Sequence, residues 1–169
     1  MTKKALWVSL AIAAPLTSHA AFMDADWAKK ACDAWNADAT LTSKLGGDAW
    51  AAHDGGRGYK LIQIYREGCG EGSRIQLVIA NQDGKARCVS GGAPDGKAFD
   101  KKYDYLMHAT DDHWTCMGAG KFGCGAMGAM TTGKLKFTGP KMEAMGVMGP
   151  FNRFLKLTGQ IGGEKGACQ

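Results

Sequence analysis

A chain of 169 residues with 21 basic and 16 acidic side chains holds about one domain and carries a net charge of only +5. The basic residues form no long run and are not interleaved with aromatics, which argues against a nucleic-acid partner. The departures from ordinary composition are 25 glycines, nine methionines and six cysteines.

Residues 1–20 read as an export signal. Lys3 and Lys4 form a basic start, Ala5 to Leu16 an apolar run, and Ser18-His19-Ala20 the small residues of a cleavage site before Ala21. The run is shorter than the ~20 residues a membrane-spanning helix needs. Its removal takes away two lysines and leaves 19 bases against 16 acids. A single domain over residues 21–159 and a tail over 160–169 are expected, in the periplasm or secreted.

All six cysteines (Cys32, Cys69, Cys88, Cys116, Cys124 and Cys168) follow the signal. An even count in an exported chain favours disulfides. Spacing leaves the connectivity open and singles out only a local Cys116–Cys124 clip. No C-x-x-C occurs, which removes thioredoxin-like exchange and attached c-type haem.

The first element is an amphipathic helix over Phe22 to Asn36, with Met23, Trp27, Ala31 and Trp35 at helical spacing and Asp24 or Asp26 as its cap. A shorter helix is expected from Leu41 to Ala52, interrupted by Gly46-Gly47. From Tyr59 the period becomes two. Tyr59 to Arg66 is a strand, and Arg74 to Ala80 another, with Ile75, Leu77 and Ile79 sharing one face. Asp83-Gly84 marks a tight hairpin, because a type I′ turn needs positive φ at both positions. Lys85 to Ser90 returns antiparallel, and Tyr103 to Ala109 forms a fourth strand.

A helical segment over Asp111 to Met130 follows, capped by Thr110 or Asp111. Lys134 to Thr138 is a fifth strand, with Leu135 and Phe137 inward and both lysines outward. Pro140 suits the start of a helix. A break is expected at Gly149-Pro150. The tail from Gly159 is small and polar, frayed unless Cys168 ties it down. Helices set against a five-stranded, mostly antiparallel sheet define an α+β class, with the helices packed on one face.

Met127 and Met130 share one helix face, as do Met142, Met145 and Met148. Such stripes face a core or an adaptable ligand cavity, since unbranched thioethers fill irregular space. A second reading is an exported copper-binding protein. Thiolate and thioether select Cu(I), and His108, His113, Cys116 and Met117 fall close together. A hydrolase reading is weaker still. There is no G-x-S-x-G elbow, and serines after the signal are sparse (Ser43, Ser73 and Ser90). The run Gly118 to Gly128 lacks the Lys-Ser/Thr of a P-loop and instead permits close backbone approach or a flexible portal. Lys134 and Lys136 form the solvated face of an edge strand, or meet anionic headgroups at transient membrane contact.

Trp114, Gly118, Ala129-Met130, Gly133-Lys134-Leu135-Lys136 and Gly139, followed by Met145, Met148 and Phe154, resemble the C-terminal half of the sterol carrier protein type-two, or nonspecific lipid-transfer, family. Trp35-Asn36 and Leu41/Leu45 before Gly58-Tyr59 fit that family's opening. The specific block is Gly133 to Gly139. The chain resembles an exported, bacterial-type member, set apart by its methionines, glycines and cysteines. The resemblance implies a hydrophobic tunnel between sheet and late helices that holds fatty acyl, sterol or related lipids, with no catalytic residue, metal or cofactor. It implies a lining of Trp114, Met117, Phe122, Met127, Met130, Leu135, Phe137, Met142, Met145, Met148, Phe151, Phe154 and Leu155. The function expected from it is non-enzymatic lipid binding and transfer in the cell envelope, gated at Gly146–Pro150.

Overall fold

The computed structural model describes residues 21–168; the expected export signal over residues 1–20 lies outside the described residues. Helix α1 (Ala25–Ala37) opens the chain. Asp24 caps it, its carboxylate accepting from the Trp27 N–H at 2.5 Å, and thereby satisfies one of the orphan donors of a first turn. The buried face of α1 carries Trp27, Ala28, Ala31, Cys32 and Trp35. Asp38 ends α1 and caps α2 (Ala39–Lys44) in turn, accepting from the N–H groups of Thr40 and Leu41.

The second helix is shorter than the sequence predicts. Leu45 closes α2, and a separate single turn over Trp50–Ala52 follows the two glycines. Gly46 explains the break. A Cβ there would stand 2.4 Å from the Gly84 carbonyl oxygen, so the chain crosses the β-hairpin where only glycine fits.

Five strands then build the sheet: β1 (Lys60–Arg66), β2 (Ile75–Gln82), β3 (Lys85–Gly92), β4 (Tyr105–Ala109) and β5 (Lys136–Thr138). Their spatial order is β3-β2-β1-β4-β5. Pairing is antiparallel except between β1 and β4, which run parallel with Ile62 opposite Tyr105 and Ile64 opposite Met107. The β2–β3 turn is the expected one, with φ of +50° at Asp83 and +71° at Gly84.

Alternation along the strands divides the sheet into two faces. Ile62, Ile64, Ile75, Leu77, Ile79, Tyr105 and Met107 lie under the helices and join the main core. Leu61 and Val78 are buried on the opposite face. The segment from Ala93 to Asp104 serves that opposite face. Asp104 is fully buried, accepts a bidentate pair from Arg57 at 2.9 and 2.7 Å, and accepts from the Leu61 N–H. Asp95 accepts from Gln76, which in turn accepts from Gln63.

The expected Asp111–Met130 helix is two helices, α3 (Asp111–Gly118) and α4 (Ala126–Thr131). Positive φ at Gly120 and Gly123 breaks the run between them. Thr110 caps α3. The start of α4 has no cap of its own, and Asn152 of a later helix accepts from its Ala126 N–H at 2.6 Å.

Pro140 immediately precedes α5 (Lys141–Gly146), and α6 (Met148–Ile161) closes the helical layer. The joint between them falls at Val147, just before the expected Gly149-Pro150 break. Pro150 sits in the first turn of α6, where its missing N–H deprives no intrahelical bond. Three disulfides join Cys32 to Cys88, Cys69 to Cys168 and Cys116 to Cys124. The tail is held as well: Arg66 donates to the carbonyls of Lys165 and Ala167, and Phe22 donates to Glu164. Among the described residues, no helix is long and apolar enough to cross a membrane.

Candidate functional site

The helical layer does not close fully on the sheet. A narrow apolar cleft remains where α6, α1 and the Trp50 turn meet β1 and β4. Trp35 and Trp50 form one side, Phe151 and Phe154 another, and Ile62, Tyr105 and Met107 the floor. The rings interlock: Trp35 lies 5.9 Å from Phe154, Trp50 5.5 Å from Tyr105, and Tyr105 6.2 Å from Phe151. The cavity is about 20 Å³, little more than one water molecule requires. In this conformation it is a seam rather than an open channel.

A polar cluster adjoins the seam across the Trp50 and Tyr105 rings. Lys60 opens β1 on the same face as Ile62 and Ile64, and its side chain is completely buried. Its ammonium donates to Glu143 of α5 at 2.6 Å and lies 4.4 Å from the Trp50 ring and 5.5 Å from the Tyr105 ring. The Tyr105 hydroxyl donates to the same Glu143 oxygen at 3.1 Å, and the His53 ring nitrogen lies 3.1 Å from the other. Burial pulls the Lys60 ammonium below the usual lysine range, opposed by the Glu143 carboxylate. Burial, reinforced by the Glu143 charge, raises Tyr105 far above the ordinary phenol range and keeps it a proton donor. The Trp50 indole N–H is buried with no hydrogen-bond partner among the described residues.

The sequence-predicted lining residues separate into three groups. Trp114, Met117, Leu135, Phe151, Phe154 and Leu155 are buried. Met130, Phe137 and Met148 are half-buried against the core. Phe122, Met127, Met142 and Met145 are exposed, Phe122 completely and Met142 at 79%. Of the thirteen, only Phe151 and Phe154 border the seam directly; Phe137 packs behind it, 4.9 Å from Tyr105 and 5.9 Å from Phe151. Trp114 is a core residue whose indole N–H donates to the Tyr65 carbonyl at 3.2 Å. Met117 and Leu155 border a separate open depression beside Lys121, Asn152 and Lys156.

Trp35, Trp50, Tyr105, Lys60 and Glu143 belong to this candidate site but not to the lining expected from the sequence. Lys60 carried one signal, since it falls in period-two register with Ile62 and Ile64 on the inward face. Glu143 carried one as well, as the lone acid in the methionine-rich α5.

The copper-binding set does not assemble. Cys116 is bonded to Cys124, which removes its thiolate, and among the described residues no group of three His, Cys, Asp or Glu is placed to hold a metal ion.

No family model matches the chain, and no curated protein matches it. Solved structures similar to it include a crystal structure of sterol carrier protein 2, with 15% identity over 83% of this chain and 98% of that one and a TM-score of 0.49. A solution structure from Thermus thermophilus, described as a conserved hypothetical protein and possibly a sterol carrier protein, has 15% identity over 88% and 96% and the same TM-score. Apo sterol carrier protein 2 from Yarrowia lipolytica has 18% identity over 81% and 82%, with a TM-score of 0.35.

Proposed function

We propose that the chain binds the apolar tail of a lipid in the seam between α6 and the sheet, and carries it without chemical change. The observation that supports this is the seam itself: an aromatic-lined gap that exposes only apolar surface, with the Trp35 N–H and the Tyr105 hydroxyl turned to the Ala86 carbonyl and to Glu143. A well-packed core leaves few such gaps between its layers. A tail enters by widening it, and α5, which reaches the seam only through the Glu143 bonds to Lys60 and Tyr105, is the element that gives way, because only Ala144 of that helix is fully buried. The joint at Gly146–Pro150 is the hinge. Burial of the tail supplies ~25 cal/mol per Å² of apolar area, so tails of similar size are held with similar strength.

The predicted signal and the three disulfides support a periplasmic or secreted site of action. Exposed Met142 and Met145 on α5, next to Lys141, support transient contact with a membrane surface during transfer.

Organic extraction of purified protein followed by lipid mass spectrometry tests the reading, together with titration by the neutral dye Nile red. Stoichiometric lipid, or saturable dye binding displaced by lipid, is expected. Phe151→Glu, which places a charge on the seam wall, abolishes dye binding. An empty protein that binds neither dye nor lipid refutes the proposal.

A further inference from the structure

A buried lysine beside an apolar seam needs a reason. Removing an ammonium from water is strongly unfavourable, and a hydrophobic residue at that position would pack against Ile62 at no such cost. Lys60 has one carboxylate at hydrogen-bonding distance among the described residues, and that carboxylate arrives from far away in sequence on a six-residue helix. The two rings that face the ammonium, Trp50 and Tyr105, are also walls of the seam. The charged cluster and the apolar gap therefore adjoin across these rings as one site with an amphiphile's polarity. Its head position is already filled, because Glu143 receives one bond from Lys60 and one from the Tyr105 hydroxyl.

We propose that Lys60 and Tyr105 form the head-group site for a carboxylate-bearing amphiphile, and that Glu143 occupies it in the closed form as an internal competitor. This rests on the seam being the tail site. Moving α5 to admit a tail withdraws Glu143 and would leave the Lys60 charge buried and bare. An incoming carboxylate replaces the lost partner at the moment of opening, taking the same two donors. A fatty alcohol cannot, since it brings no charge. The competing helix and the ligand head thus exchange on one ammonium, and the site selects carboxylates over neutral heads.

The test is calorimetric titration of the full protein with laurate, 1-dodecanol and dodecyl phosphate, each below its micellar concentration. Laurate is expected to bind at least about tenfold tighter than 1-dodecanol. Lys60→Met erases that preference. Glu143→Gln tightens laurate about tenfold, as expected when removal of a competitor raises a binding-competent fraction from about a tenth towards unity. If Lys60→Met fails to fold, the pair-removing variant Lys60→Met/Glu143→Met replaces it, and loss of the preference is again the expected result. Equal affinity for laurate and 1-dodecanol overturns the head-group assignment while leaving the seam as a tail site. Tighter binding of dodecyl phosphate than laurate overturns the carboxylate class, and an unchanged or weakened laurate affinity in Glu143→Gln overturns the competitor. Failure of all three probes to bind the wild-type protein refutes the tail site as well.

Discussion

Asp38 performs three tasks: its backbone N–H ends α1 on the Trp35 carbonyl, and its carboxylate caps α2 and accepts from Arg153 of α6. Burial alone raises its pKa, but Arg153 and the N–H groups of Leu41 and Thr40 outweigh that and leave it lowered. A lowered folded pKa means that the unfolded chain takes up the proton first. The stabilisation is therefore complete above the unfolded value of 3.8 and is lost as pH falls through the folded value. Asp111, lowered by its bidentate Arg66, contributes to the same acid limb. Asp38→Asn keeps a capping oxygen without the charge, so urea melts between pH 7 and pH 3 should show a shallower acid loss than in wild type. Asp38→Ala should cost about 1 kcal/mol at pH 7 from the cap alone. Equal acid slopes in wild type and Asp38→Asn would show that the Arg153 pair contributes nothing.

At the scale of elements, α3 and α6 cross where Gly118 meets Gly159. A Cβ on Gly118 would stand 2.7 Å from the Gly159 Cα, and a Cβ on Gly159 would stand 2.6 Å from the Gly118 carbonyl. The obstructing atoms are backbone, so the helices must part to admit a methyl group. Gly118→Ala is expected to cost about 1–3 kcal/mol, the ordinary range for overpacking, and denaturant melts measure it. This contact was half legible: a glycine-rich run announces close approach but names no partner. Strands were legible because burial of one face imposes period two, and the β2–β3 turn because Asp-Gly supplies two positive φ values. The parallel β1–β4 pair was not, because nothing local encodes which strands meet across a long connection. The methionine stripe pointed to Met142 and Met145, which the structure exposes. Amphipathic spacing shows that a helix has an apolar side, not whether that side is covered, and α5 is too short and too lightly packed to bury its own.

For the whole molecule, the disulfides set how far apart the chain can drift once it unfolds. Cys32–Cys88 clips α1 to β3 across 56 residues, Cys69–Cys168 returns the C-terminus to the end of β1 across 99, and Cys116–Cys124 closes only eight between α3 and α4. Loop-closure entropy scales with the logarithm of that separation, giving about 4.2, 4.7 and 2.5 kcal/mol respectively. The Cys69–Cys168 bridge joins residues well away from the seam, so its contribution is to stability rather than to the site. Cys69→Ser/Cys168→Ser should therefore lower the urea midpoint more than Cys116→Ser/Cys124→Ser does, while Nile red affinity at 25 °C stays within about twofold of wild type. The reverse order of stabilities would mean that the tail is held by its hydrogen bonds to Arg66 and Phe22 rather than by its covalent bond. A parallel loss of dye binding would mean that the far end of α6 sets the width of the seam, and that opening involves the whole helix rather than α5 alone.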